Sequence, residues 1–565
     1  MSASTQSLSD TDRKQTTTLQ HCRRLGLAGS AVMVLGGLLA GVPPKHDLVL
    51  QLPFLQTMRT FSTLTVMVVF TGVFMLMLAW WRLGRLVRAG APGTGIRDLL
   101  VTLVWWSVPL LVTIPIFSRD VYSYLAQGKM TVWGMDAYQY GPALMGGPLT
   151  VDIPPIWQTT PAPYGPVFLS LAAGVTNVTG LSIPLGILGM RLLSLLGLAL
   201  IVASVPRIAR ATGVDPRAAL WLGVLNPLVL IHLVGDAHND ALMLGLMLAG
   251  LALALRRRPA WGAVLVTLAA LVKAPALLAL VFIVPLWAAD LSGRARWLRA
   301  GFAAFGVSVA TVVVATTVAG TGYGWMGTLD TPTRAHTWTS LTTDVGYWCG
   351  LVADHFGLAQ PDQVLAAWRL AGLAAAGVVC LLMLRRHWNT PVVGLGLGLA
   401  AVLALGPVVH PWYLLWALIP LAAAARSAKI RRWVAITTIA MTAMVLPGGV
   451  QPTFDVFVGA LLGAGLVFTV AWATRTLDRN DITGSARAAW TDSPLRSAVA
   501  QRSVAPLRQM LQRQPVAVDA EAADHTGRDG GHNGVVPKRF TRMDVRDVNL
   551  DERRAQQGAR VPDGV

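Results

Sequence analysis

Cysteine is nearly absent. The chain holds three, Cys22, Cys349 and Cys380, too few and too scattered for a disulfide framework or a zinc pattern. Charge is sparse as well: 13% of residues are charged and 54% hydrophobic, a balance that excludes an ordinary soluble domain. Acidic residues are outnumbered by basic ones, 28 to 46, for a formal net charge of +18. The arginines collect in short loops between apolar runs, not on one soluble module with a binding motif, so no nucleic-acid partner is expected. The first apolar run lacks a small-residue cleavage site, so it reads as a retained span behind a polar, cytoplasmic N-terminal tail, residues 1–24. No internal repeat is visible, which counts against a transporter or lipid-linked sugar flippase made of repeated halves.

What the chain does have is a series of apolar runs near the ~20 residues needed to cross a bilayer. About fourteen are expected, several of them short: 25–42, 62–80, 99–117, 185–205, 218–234, 241–255, 262–271, 275–287, 300–319, 364–384, 393–409, 412–424, 433–446 and 456–472. The expected fold class is therefore an all-α polytopic membrane protein. Basic clusters (Arg82, Arg85 and Arg88; Arg207, Arg210 and Arg217; Arg256 to Arg258; Arg294, Arg296 and Arg299; Arg385 and Arg386; Arg426, Lys429, Arg431 and Arg432) belong in the cytoplasm by the positive-inside rule. All of them fall on one side only if residues 164–179 form a re-entrant or surface-lying helix. Both termini are then cytoplasmic, and residues 475–565, charged and rich in Gln, Ser, Pro and Gly, read as a flexible cytoplasmic tail behind a membrane domain spanning 25–474. The opposite face receives two long loops, 118–163 and 321–363, whose Tyr, Trp, Gly and Pro content suits ordered walls of a site.

The polar residues that break these runs fall on that outer face. Asp120, at the end of an apolar run, is the candidate general base, against the alternative of a helix-end carboxylate paired with Arg119 or capping the next helix. It is followed by Tyr122, Tyr124, Asp136 and Tyr138, the aromatic and hydrogen-bonding mixture that sugar rings require. Asn226-Pro227 and His232 precede Asp236, His238, Asn239 and Asp240, which admit three roles: hydrogen bonding to sugar or phosphate, ion pairing or capping, or binding a divalent metal. Their spacing matches no firm metal signature. Lys273, one of six lysines, stands between two half-length runs, where an ammonium is costly without a negative partner; snorkelling to the interface is the plainer reading. Arg334 and His336 lie in the second loop as candidate phosphate ligands, and His410, Trp412 and Tyr413 open a span at interfacial depth.

Taken together, Ser118 to Tyr124, Asn226-Pro227 with Gly235 to Asp240, Leu271 to Lys273 and His410 to Tyr413 resemble the actinobacterial polyprenol-phosphomannose-dependent α-1,6-mannosyltransferases of the MptA/MptB type, within the GT-C glycosyltransferase fold. The resemblance covers roughly residues 25–472. It implies a multi-pass protein of the plasma membrane with an extracytoplasmic active site, transferring mannose from polyprenyl-phospho-mannose to the 6-hydroxyl of a lipid-anchored α-1,6-mannan in lipomannan and lipoarabinomannan assembly. Asp120 would be the base. Lys273, Arg334 and His336 would hold the donor phosphate, and His410 would hold either Asp120 or that phosphate. Arg119, Tyr122, Tyr124, Asp136, Tyr138, Asp236, His238, Asn239, Asp240, Trp412 and Tyr413 would line the sugar and acceptor side. No cofactor is implied; a divalent metal is admissible but not favoured, since the first loop lacks an Asp-x-Asp or Glu-Asp pair. Membrane lipids are the remaining partner. A same-fold transferase of another polyprenyl-phosphate sugar, arabinose or glucose, is the alternative, because pocket shape decides sugar identity.

Overall fold

A computed structural model describes residues 10–44, 52–334, 337, 339–449 and 453–474. Helices α1 (Asp10–Ala40), α2 (Pro53–Thr60), α3 (Ser62–Arg88) and α4 (Ile96–Ser107) lead to α5 (Asp120–Val132). Two short helices, α6 (Pro148–Val151) and α7 (Pro155–Gln158), precede α8 (Pro166–Thr179). The middle of the chain forms α9 (Ile183–Thr212), α10 (Pro216–Gly223), α11 (Asp240–Leu255), α12 (Pro259–Ala270), α13 (Leu277–Ala288) and α14 (Arg296–Ala319). The remainder forms α15 (Leu341–His355), α16 (Pro361–Arg386), α17 (Pro391–Leu405), α18 (Leu415–Ala424), α19 (Ala428–Ala443) and α20 (Phe454–Ala473), with no strand among the described residues.

By length and composition six helices can cross a bilayer: α1 from Thr17, α3, α9, α14, α16 and α20. A seventh arises if Val229–Gly235 and α11, bent by 111°, count as one span. That is fewer than the fourteen apolar runs, because several runs are broken or short. Run 99–117 is helical only to Ser107. Pro109 cannot donate to the ladder, and after a single 3-10 turn the backbone N–H groups of Ile116 and Phe117 donate instead to Asp236 Oδ1, at 2.9 and 3.2 Å. Run 218–234 breaks at Asn226-Pro227 and continues as a π-helical turn. α8, in the stretch expected not to cross, has 14 residues, short of a bilayer's thickness. The first helix begins at Asp10, with its candidate span counted from Thr17, and loop 321–363 contains α15. The expected tail 475–565 and His336 lie outside the described residues.

Small residues let the helices approach closely, as is usual where lipid supplies no hydrophobic drive between them. α1 and α3 run antiparallel: Gly29 lies against Gly72 and Leu76, and Gly36 against Val69. α20 runs parallel to α3, Gly459 against Thr63 and Gly463 against Met67. Deeper in the core Trp80 and Trp221 stack at 5.1 Å, and each indole N–H donates to the other's backbone carbonyl, at 3.0 and 2.9 Å. At one end of this bundle Tyr122 donates its hydroxyl to the carbonyl of Val42, just past α1, and Gly448 donates its N–H to Ile116. Asp120 therefore belongs to the end of α3 that carries Ser62. Arg82, Arg85 and Arg88 sit towards the other end of that 27-residue helix, roughly 30–40 Å from Ser62 at 1.5 Å per residue.

Candidate active site

Asp120 is the first residue of α5, not a loop residue, and its own N–H donates to Ser118 Oγ at 3.1 Å. A carboxylate in the first helical turn is favoured by the helix dipole. Its side chain stays partly open, 26% exposed, and faces a cavity of about 820 Å³. The ring within hydrogen-bond reach is that of His238, whose Nδ1 lies 3.4 Å from Asp120 Oδ2. Tyr124 completes the cluster: its hydroxyl is 3.4 Å from both of those atoms and 3.3 Å from Asn239 Oδ1. Burial alone would raise the Asp120 carboxyl, but the His238 hydrogen bond and the nearby basic groups His238, His410 and Lys273 outweigh it and hold the group well below the usual carboxylate range.

His238 is held by an unusual stretch of backbone. Asn226 caps the break after α10, accepting from the N–H of Leu228 at 3.0 Å and donating to Thr438 Oγ1 at 2.8 Å. The π-helical turn Val229–Gly235 follows, and then Ala237 adopts a φ of 55°, a left-handed conformation costly for a residue with a Cβ. That turn aims His238 at Asp120 while Asp236, behind it, secures the broken run at Ile116 and Phe117 and contacts His232 Nδ1 at 3.2 Å. Asp240 opens α11 and is fully buried. Its oxygens accept from Lys273 Nζ at 2.8 Å and from the Trp416 indole at 2.6 Å. Lys273 is thus neither snorkelling nor isolated. Its ammonium lies 4.6 Å from the centre of the Tyr413 ring and 5.6 Å from that of Trp416.

His410 reaches the cavity from the turn before α18, stacked on Trp412 at 4.4 Å and edge-on to Tyr413 at 5.1 Å. Burial pushes its imidazole down to about 4, against the pull of Asp120, so the ring is neutral near pH 7. Trp412 also stacks on His238, at 4.1 Å. Apolar side chains of the later helices, Leu373, Val402, Leu403 and Met444, continue the cavity wall, and Ile156, Trp157, Asp330 and Thr333 close it from the two loops.

Nine residues singled out in the sequence therefore meet here: Arg119, Asp120, His232, Lys273, His410, Trp412 and Tyr413 line the cavity, and Tyr124 and His238 back it. Others go elsewhere. Tyr122 is buried against Val42, Asp136 is exposed with its carboxylate accepting from the N–H of Tyr138, and Tyr138 packs against Gly324 of the second loop; none lines the cavity. Asp236, Asn239 and Asp240 are buried behind the lining residues rather than among them. Arg334 is exposed on its turn and points to no lining role, while Thr333 beside it does line the cavity. Sequence inspection missed Tyr164, which meets Tyr124 edge-on at 5.3 Å and lines the cavity. Its signal was the following Gly165: a Cβ there would fall 2.3 Å from the Leu271 carbonyl oxygen, so the start of α8 presses on the chain leading to Lys273. Arg119, expected on the acceptor side, is also a phosphate-compatible cation: its Nε is buried without a protein hydrogen-bond partner, as is Gln127 Oε1 on the same cavity wall.

A metal would have to use His232, Asp236 and His238, which offer ligand atoms within 4.8 Å of one another; Asp240 is committed to Lys273 instead. Asp236 already accepts from the local backbone and contacts His232 Nδ1, while His232 Nε2 and His238 Nε2 are buried without a protein partner.

The family model for the N-terminal domain of alpha-(1->6)-mannopyranosyltransferases matches residues 23–289, and that for the MptB C-terminal domain matches residues 342–475. A probable alpha-(1->6)-mannopyranosyltransferase of Mycolicibacterium smegmatis is 37% identical over 471 residues, covering 77% of this chain and 83% of the relative. This chain belongs to the alpha-(1->6)-mannopyranosyltransferase family. Alpha-(1->6)-mannopyranosyltransferase A of Mycobacterium tuberculosis is 39% identical, covering 73% of this chain and 81% of the relative, and alpha-(1->6)-mannopyranosyltransferase B of Corynebacterium glutamicum is 35% identical, covering 80% and 81%. No solved structure matches the chain. The protein is a glycosyltransferase, and its cavity draws on both matched regions of the family: Asp120, His238 and Lys273 from the first, His410 and Trp412 from the second.

Proposed function

We propose that the enzyme transfers mannose from polyprenyl-phospho-mannose to the 6-hydroxyl of an α-1,6-mannan on a lipid anchor, at the extracytoplasmic face of the cell membrane and in the assembly of lipomannan-type glycolipids. The acceptor hydroxyl gives its proton to Asp120 as its oxygen attacks the anomeric carbon. The bond from that carbon to the phosphate oxygen breaks, its electron pair leaves with the polyprenyl phosphate, and a β-linked donor yields an α-linked product. Asp120 then passes the proton to water. The carboxyl's depressed acidity range keeps it ionised for each cycle but makes it a weak base, so positioning and charge stabilisation carry much of the rate.

The observation that carries this reading is the meeting of Asp120, Lys273 and His410 on one cavity wall, from segments up to 290 residues apart. Lys273, although paired with Asp240, retains donors for a phosphate, and Arg119 supports the second contact better than exposed Arg334 does. Trp412, whose ring is stacked on His410 and His238, keeps its indole N–H without a protein partner as a donor for a sugar hydroxyl. The apolar wall of Leu373, Val402, Leu403 and Met444 suits a polyprenyl chain. The position of this cavity at the Ser62 end of α3, with Arg82, Arg85 and Arg88 towards the other end, supports an outward-facing site under the positive-inside rule. Membranes carrying the wild type should transfer radiolabelled mannose from polyprenyl-phospho-mannose but not arabinose from the corresponding donor, and Asp120→Asn should abolish transfer. Full activity in Asp120→Asn, or equal use of both donors, would overturn the assignment.

A further inference from the structure

Asp120, Ser123 and Gln127 follow one another at intervals of three and four residues, the spacing that places side chains on one face of a helix. All three belong to α5 and all three line the cavity, so a polar stripe runs along its wall away from the base. At 1.5 Å per residue Gln127 lies roughly 10 Å along the helix from Asp120, farther than one pyranose ring reaches. Gln127 is only 3% exposed, and its Oε1 is buried without a protein partner. A buried amide oxygen left unmatched is costly, and its place on a cavity wall marks it as a group for a ligand to satisfy. Packing on the other faces of α5 fixes the stripe. Leu125 lies against Gly186 in the first turns of α9, and a Cβ on Gly128 would fall 2.6 Å from the backbone of Ala172 in α8. Arg207 and Arg210 sit at the far end of α9, so α5 lies at the end of that span remote from its arginines.

We infer that this stripe is the acceptor's track and that Gln127 binds the second sugar of the mannan, the one preceding the sugar whose 6-hydroxyl meets Asp120. The inference rests on the mannosyl transfer proposed above and adds which part of the acceptor is read. The stripe starts at the base, and the base's partner is the acceptor. The groups suited to the donor come from other elements: Lys273 from the turn before α13, and the apolar wall of Leu373, Val402 and Leu403 from α16 and α17. A sugar hydroxyl both donates and accepts, so it can give its proton to Gln127 Oε1. A site built to hydrogen-bond a hydroxyl discriminates against a ligand that lacks it, because the buried partner is then left unmatched. An acceptor of one sugar leaves Gln127 in that state, and an acceptor of two relieves it.

The test uses the full-length enzyme in mild detergent with polyprenyl-phospho-mannose and two acceptors, octyl α-mannoside and octyl α-1,6-dimannoside. The readout is kcat/KM for the disaccharide divided by that for the monosaccharide. The wild type should favour the disaccharide. Gln127→Met, similar in length but without the amide, should cut the ratio about three- to tenfold, the scale of one hydrogen bond, and chiefly through the KM of the disaccharide. Gln127→Asn, which keeps an amide but draws it back by one methylene, should cut the ratio in the same direction and decides the matter if Gln127→Met does not fold. Equal use of the two acceptors by the wild type, or an unchanged ratio in these variants while mannose is still transferred, would overturn the subsite alone. A change confined to the KM of the donor would do the same, by assigning Gln127 to the donor's sugar. No mannose transfer by the wild type to either acceptor would overturn the functional reading as well.

Discussion

At the scale of single residues, the partnership of Asp120 with His238 makes the most specific claim. The imidazole holds the carboxyl low against a burial that would raise it, so removing the ring lets burial win. A base works only when ionised. Wild-type transfer should therefore show no loss from Asp120 between pH 8 and about pH 5, whereas His238→Ala should lose activity as pH falls through the raised Asp120 value. The comparison of pH profiles of kcat/KM checks this: a merely structural role for His238 would lower the variant's profile at every pH without moving its acid limb. At neutral pH the same substitution should cost roughly 10–100-fold in kcat, the scale of a misaligned base. Asp120→Asn itself should cost about 10²–10⁴-fold, the usual contribution of a positioned base.

Lys273 and Asp240 make a second residue-scale case. The Asp240 side chain is fully buried and that of Lys273 only 10% exposed, so Lys273→Met leaves an unpaired buried carboxylate and should destabilise the protein by about 3 kcal/mol. Asp240→Asn combined with Lys273→Met should recover much of that loss, read as the thermal midpoint in detergent, without restoring mannosyl transfer. Recovery of both would remove Lys273 from the donor site.

At the scale of elements, the legible part of the fold was its apolar periodicity, and the illegible part was where broken backbone finds its hydrogen bonds. Runs such as 62–80 and 456–472 became α3 and α20 with modest shifts at the ends, since nothing interrupts their ladders. Run 99–117 looked just as good by composition. It is not one helix because Asp236, over a hundred residues later, takes over two backbone donors, and a side-chain acceptor that distant leaves no trace in local hydropathy. The same limit applied to the site. Asp120, Lys273 and His410 stood out because a polar group inside an apolar run demands a reason. That His238 rather than His410 would contact Asp120 depended on the π-helical turn and the left-handed Ala237, which spacing cannot disclose. Tyr164 was hidden for another reason: it belongs to α8, whose placement hinges on the close approach of Gly165 to Leu271. Gly165→Val should push α8 off that contact, costing about 1–3 kcal/mol in stability, measured by thermal unfolding in detergent, and lowering transfer by displacing Tyr164. A variant with wild-type stability and rate would mean that α8 is not seated there.

At the scale of the whole molecule, the cavity and the arginine-rich ends of the spans lie on opposite faces, which makes sidedness measurable. With the native cysteines replaced, Asp330→Cys on the cavity rim should react with a membrane-impermeant maleimide added to intact cells, whereas Arg257→Cys, in the turn after α11, should react only once the membrane is opened. The reverse labelling pattern would invert the topology and with it the side on which mannan is built. Across this same architecture, the indoles of Trp80 and Trp221 each occupy the other's backbone oxygen. Losing either ring removes the stack and leaves the other tryptophan's backbone carbonyl without its indole donor, so the two positions are expected to change together or not at all.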